Sequence, residues 1–266
     1  MNVEPLGPSD EVVYERRADA AWLRLNRPDA LNALTPRIIA ALHEGMDRAS
    51  ADRGVRSLVV TGTGRALCAG ADLTFGSGDE GYERVTGFLD DVGAALSRLE
   101  AFPMPTIAAV NGVALGGGFE IVLVCDLVVC ARSARLGDSH AKYGFVPGGG
   151  ASARLPRRIG LNHTKYLMYT AALLPPDDRR LSELVTDVVD DDRLIDEVDA
   201  VAAVIAERSP LGLARMKQLV GDAADQSLAT ALRQELLVSA LHRRSYDNTE
   251  GSNAFAEKRK PRFEGR

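Results

Sequence analysis

Over roughly the first 160 residues, short runs of β-branched and aliphatic residues alternate with stretches whose apolar positions recur at helical spacing. Residues 12–14, 21–25, 57–61, 106–110 and 127–131 read as strands, each bounded by Gly, Pro, Asn or charged turns. Thr35 followed by Pro36 is a helix cap and first-turn pair, after which Ile38, Leu42 and Met46 share one face. Phe88, Val92, Ala95 and Leu99 repeat the pattern in a second helix. Strands alternating with helices predict an α/β fold with parallel strands. Beyond about residue 160 the strand pattern largely fades and helix dominates. Leu194, Val198, Val201 and Ile205 form one stripe, Ser209 and Pro210 a second cap, and Leu228, Leu232 and Leu236 another stripe. Such seams at the end of a chain need a partner, either the body of the protein or another subunit.

Composition narrows the classes. The chain has 266 residues, of which 45% are hydrophobic and 26% charged, so it can bury a large core and reads as folded apart from about the first ten residues. A formal charge of −5 argues against nucleic acid or an anionic membrane as partner. Any anionic ligand therefore needs a local basic site. Cys68, Cys125 and Cys130 lack metal-ligand spacing and imply free thiols in a reducing compartment, the cytoplasm. The first residues carry no apolar core, and no apolar run reaches the roughly 18 residues of a membrane span. The stretch 75–81 is glycine-rich and reads as a loop, and residues 257–266 form a basic tail.

The candidate chemistry lies in two glycine-bearing segments at strand ends. In Asn111-Gly112-Val113-Ala114-Leu115-Gly116-Gly117-Gly118-Phe119-Glu120 a strand breaks and restarts as a helix ending near Asp126. Glycines there let a ligand touch the backbone and leave N–H groups free at a helix start, where negative charge is favoured. Arg65-Ala66-Leu67-Cys68-Ala69-Gly70-Ala71-Asp72-Leu73 follows another strand and offers a second backbone donor. Two such donors make an oxyanion hole, able to hold the oxygen of a thioester as it becomes an enolate. A glycine-rich turn packing a helix tightly on a sheet is the alternative.

Five segments stand in the order and spacing of the enoyl-CoA hydratase/isomerase (crotonase) family, which the chain resembles from about residue 12 to 264. They are residues 25–34 (LNRPDALNAL), 68–73 (CAGADL), Asn111-Gly112 with Gly116 to Gly118, 147–150 (PGGG) and 254–259 (AFAEKR). The resemblance implies a spiral of ββα units over residues 1–200, with a helical region over 201–266 that assembles trimers or pairs of trimers. It places the two oxyanion-hole amides on Ala71 and Gly117. It places the adenine end of coenzyme A near Ala30, Leu31, Ala69, Asp72 and Leu73, with Phe255 and Lys258 reaching it from a neighbouring subunit. It implies no metal and no prosthetic group, coenzyme A being part of the substrate.

Hydratases of the family use two glutamates. The first falls on Glu120. The second slot holds His140, a departure, since imidazole can act as acid or base near neutral pH without a large shift. Asp138 and Ser139 flank it as lesser candidates, and an extended strand end would turn 138 and 140 the same way. The slot used for an aspartate by dienoyl-CoA isomerases and aryl-CoA dehalogenases is Gly148, which disfavours both reactions. Hydration of a 2-enoyl-CoA is the first expectation, single-base double-bond isomerisation the second, and acyl-CoA binding without turnover the alternative of another class.

Overall fold

The computed structural model describes residues 3–6, 9–72 and 81–266. A large sheet runs in the order β1 (Val3–Pro5), β2 (Val12–Arg17), β3 (Ala20–Leu25), β4 (Ser57–Gly62), β6 (Thr106–Val110), β8 (Leu127–Ala131), β10 (Asp187–Val189). Its first three strands pair antiparallel and the remainder parallel. A small parallel sheet contains β5 (Ala66–Cys68), β7 (Val113–Leu115) and β9 (Arg135–Gly137). The chain visits the large sheet, then the small one, then a helix, three times over. The helices that close these turns are α2 (Gly81–Glu100), α3 (Gly117–Val124) and α4 (Ala151–Thr170), and α1 (Pro36–Ala51) precedes the first. This is the spiral of ββα units.

Strands β4 and β6 are buried along their whole length, as parallel strands covered on both faces must be. Successive residues serve opposite cores. Leu58, Val60, Ala108 and Val110 join the main core with α1, α2 and α3, while Val59, Ile107 and Ala109 face Trp22 and the helix α5 (Leu194–Ala206). The step from large to small sheet is so tight that a Cβ on Gly62 would stand 2.1 Å from the Ala66 carbonyl oxygen, and one on Gly112 2.2 Å from that of Arg65. Two side-chain amides, the half-buried Asn111 and the buried Asn32, reinforce these steps. Asn111 Oδ1 accepts from the Gly62 amide while its Nδ2 donates to the Gly64 and Ala66 carbonyls. Asn32, itself left-handed at φ 57°, donates to the Thr63 and Ala66 carbonyls and accepts from the Arg27 amide.

The structure corrects or adds to the sequence pattern in three places. Residues 3–5 are not outside the fold but form the edge strand β1, held in register by backbone pairing to β2. A strand does occur beyond residue 160, since β10 closes the parallel side of the sheet beside β8. The short strands β5, β7 and β9 had no counterpart in the pattern, because three residues carry too little alternation to register. Residues 200 and 201 both lie inside α5, which packs on the large sheet. After it come α6 (Pro210–Ala223), α7 (Leu228–His242) and α8 (Tyr246–Glu257), capped by Ser209, Ser227 and Ser245, whose hydroxyls accept the amides of Gly212, Thr230 and Asn248. The basic tail folds back onto α8, the Arg262 amide donating to Glu250 and the Glu264 and Gly265 amides to Asp247. The glycine-rich stretch 75–81 lies, up to residue 80, outside the described residues.

Candidate active site

Where β7 ends, Gly116 takes φ 48° and ψ −120°, a conformation open to glycine, and α3 begins at Gly117. Across from it Gly70, at φ 104°, follows β5 and brings the Ala71 amide to the same place. The approach is close: a Cβ on Gly70 would lie 3.6 Å from the Gly117 nitrogen, and one on Gly117 3.7 Å from the Ala71 nitrogen. Two backbone amides from separate turns of the spiral thus flank one glycine-lined contact. The Ala71 turn is tied from both sides. The Ala69 amide donates to the Leu31 carbonyl, the Asp72 amide to that of Leu34, and the Gly70 amide to Cys68 Sγ.

These glycines open onto a cavity of about 110 Å³ lined by Leu34, Leu89, Val92, Glu120, His140 and Phe145, among others. Glu120, one turn into α3, is 2% exposed, and its Oε1 accepts the Ala151 amide at 2.9 Å. A Cβ on Gly149 would meet its Oε2 at 2.3 Å, so that glycine makes room for the carboxylate. Burial pushes the Glu120 carboxyl up from the ordinary 4.5, against the opposing pull of the Ala151 amide and of the His140 charge.

His140 opens a short 3-10 turn, His140–Tyr143, and does not continue β9, because Ser139 turns the backbone at φ −98° and ψ 1°. Asp138 still meets it, by wrapping back. Its Oδ1 accepts the His140 amide at 3.0 Å and pairs with ring Nδ1 at 2.9 Å. The Asp138 bond, aided by the charges of Asp138 and Glu120, holds the imidazole above the ordinary 6.5 despite its partial burial.

The family model for enoyl-CoA hydratase/isomerase matches residues 15–266. The chain belongs to the enoyl-CoA hydratase/isomerase family. Among its relatives, the 2,3-dehydroadipyl-CoA hydratase of Escherichia coli is 34% identical over 96% of this chain and 99% of its own. The crotonyl-CoA hydratase of Syntrophomonas wolfei is 34% identical over 96% and 98%. In three dimensions an enoyl-CoA hydratase from Bacillus anthracis superposes with a TM-score of 0.91 at 30% identity, covering 96% of this chain and all of its own.

On this enoyl-CoA hydratase/isomerase scaffold, Ala71, Gly117, Glu120, His140 and Ala69 share the cavity wall. Ala30 and Leu31 lie in the neighbouring turn that accepts the Ala69 amide. The Asp72 carboxylate is engaged by Arg27 at 3.1 Å. Leu73 lies outside the described residues. Phe255 and Lys258 sit at the far end of α8, and Phe255, 88% exposed, lines a different groove with Met216, His242 and Phe263. Sequence reasoning passed over Leu34, Leu89, Tyr143 and Phe145, which also line the cavity. Leu89 neighbours the predicted α2 stripe, but Tyr143 ends the short 3-10 turn and Phe145 follows it, where no period marks them. Among the described residues no cluster of three or more His, Cys, Asp or Glu side chains is arranged to hold a metal ion, and no helix is long and apolar enough to cross a membrane.

Proposed function

We propose that this chain adds water across the C2=C3 bond of a 2-enoyl-CoA thioester. The observation that carries the reading is the shared cavity, in which a buried carboxylate and a carboxylate-bound imidazole face two strand-end amides. The substrate class rests on the family match and on relatives named as hydratases over nearly their full length. The thioester oxygen accepts from the Ala71 and Gly117 amides, and the site is most complementary to that oxygen when it carries enolate charge. Water adds its oxygen to C3 and gives a proton to Glu120, whose raised affinity for protons makes it a stronger base than a surface glutamate. The electron pair of the double bond moves toward the thioester oxygen. It returns to C2 as that carbon takes a proton from the His140 imidazolium. Proton return from Glu120 to His140 through solvent resets the pair.

Coenzyme A lies along Ala30, Leu31, Ala69, Asp72 and Leu73 in this reading, with Phe255 and Lys258 supplied by another copy of the chain. Exposed Leu228, Leu232, Leu236, Leu237 and Leu241 on α7 supply the apolar surface for that assembly, a trimer or a pair of trimers built on residues 201–266 around a core of residues 1–200. Three free, buried thiols suit the reducing cytoplasm.

The test is the loss of crotonyl-CoA absorbance with wild-type protein and with Glu120→Gln. Hydration that falls by about 10²- to 10⁴-fold in the variant, with coenzyme A binding retained, is the expected result. Conversion of a 3-enoyl-CoA with no hydration of crotonyl-CoA makes the enzyme an isomerase. Coenzyme A binding without turnover of either substrate overturns catalysis altogether.

A further inference from the structure

The slot opposite Glu120 holds a histidine, and the residue two positions earlier is a buried aspartate bound to it. We propose that Asp138 is a positioning residue whose negative charge, and not merely its shape, makes His140 the proton donor to C2, so that an Asp138–His140 couple performs the acid step. The inference rests on the hydration reading above.

Asp138 is 1% exposed, and both of its hydrogen bonds use one oxygen. Oδ1 accepts the His140 amide and pairs with ring Nδ1, while Oδ2, equally buried, has no hydrogen-bond partner among the described residues. A turn of this kind needs a single acceptor, which asparagine or serine supplies without charge. Burying a carboxylate and leaving one oxygen unmatched opposes folding, so folding alone gives no reason for an acid at this place. His140 does give one. With Nδ1–H donated to Oδ1, the tautomer is fixed, and Nε2 remains as the nitrogen that exchanges a proton with a ligand.

The charged groups that bear on the imidazole are Asp138 from its own turn and Glu120 from α3. Lys142 in the same turn extends over the Tyr143 ring. Glu120 is also the group proposed to take the proton from water, so its charge is consumed during the step. Asp138 takes no proton from water in this scheme, and it is the carboxylate bound to Nδ1 that sustains the imidazolium until C2 is protonated.

The experiment compares wild type, Asp138→Asn, His140→Ala, His140→Glu and the Asp138→Asn/His140→Glu double variant on crotonyl-CoA across pH, and follows the His140 ring by nitrogen NMR in the resting enzyme. Asparagine retains the acceptor and removes the charge. The expected result for Asp138→Asn is an unchanged fold by circular dichroism, a His140 midpoint lowered by about one pH unit or more and an alkaline limb of kcat lowered with it. A 10- to 100-fold loss in kcat with little change in KM accompanies these shifts. In the His140→Glu background the same substitution costs at least tenfold less, because no imidazolium is left to sustain. Equal losses in both backgrounds, or a midpoint that stays in place, overturn the proposal while leaving hydration and His140 intact. Full activity in His140→Ala removes the histidine from the mechanism, and the role of Asp138 falls with it.

Discussion

At residue 70 the backbone conformation and the chemistry share one atom's width of space. Gly70 stands at φ 104°, where a side chain is strained, and its missing Cβ would sit 3.6 Å from the Gly117 nitrogen and 3.3 Å from the Leu115 carbonyl oxygen. Gly70→Ala is therefore expected to lower stability by about 1–3 kcal/mol through strain. It also crowds a methyl against the Gly117 amide, one of the two proposed oxyanion donors, which is expected to lower kcat by about 10²-fold or more, in the range seen when one such donor is lost. Thermal melting and crotonyl-CoA turnover measure the two effects separately, and a stable variant with full kcat contradicts the assignment of that space to the substrate oxygen. A second expectation concerns pH. In the proposed mechanism Glu120 works ionised and His140 protonated, so activity is expected to rise as pH climbs through the first group and to fall as pH climbs through the second. Burial lifts Glu120 above 4.5, and the Asp138 bond lifts His140 above 6.5, which places both limbs of the bell higher than free side chains would put them. The two limbs belong to the coupled pair. His140→Gln should abolish the alkaline limb, and its persistence in the rate profile would assign it to another group.

The elements divide into those whose pattern is local and those held by distant partners. Helix α1 is of the first kind: the Thr35 hydroxyl accepts the Ile38 amide, and Ile38, Leu42 and Met46 are buried as their spacing predicts. Leu228, Leu232 and Leu236 of α7 were equally readable as a stripe, although no part of the described chain covers them. The strands of the small sheet are of the second kind. Their places depend on crossings at Gly62 and Gly112 and on Asn32 and Asn111, which tie segments more than 30 positions apart. The carboxyl-terminal tail belongs there too. Asp247, 1% exposed, accepts the Ser209 hydroxyl and the Glu264 and Gly265 amides, so one carboxylate locks α6, α8 and the tail together. Asp247→Ala leaves these donors without their acceptor and is expected to cost about 2–4 kcal/mol. Limited trypsinolysis should then cleave after the exposed Arg262 faster than in wild type; an unchanged cleavage rate and melting temperature would show that the tail is held by other contacts.

At the scale of the whole molecule, α6 and α7 carry an uncovered apolar surface. Met216 and Val220 on α6, with Leu228, Leu232, Leu236, Leu237 and Leu241 on α7, are each more than half exposed in the single chain. Apolar surface on this scale is characteristic of an interface. Light scattering on purified protein should give a multiple of the 28.5 kDa chain mass, and Leu236→Glu with Leu237→Glu should reduce it to a single chain. If Phe255 and Lys258 serve a neighbour's coenzyme A, the same variant raises KM well before it lowers stability.

The sequence by itself determined the α/β class, the five central strands, the capped helices and the segments that carry the site, because periodicity, caps and glycine motifs are local properties of a chain. The same motifs named Ala71, Gly117, Glu120 and His140. Only the tertiary structure decided how these residues meet. The approach of Gly70 to Gly117 joins two turns of a spiral, the burial of Glu120 depends on room left by Gly149, and the contact of Asp138 with His140 comes from a backbone turn at Ser139. Distance, burial and charge environment are properties of packing between segments remote in the chain, and a carboxylate becomes a base, or an imidazole an acid, only once that packing has set its surroundings.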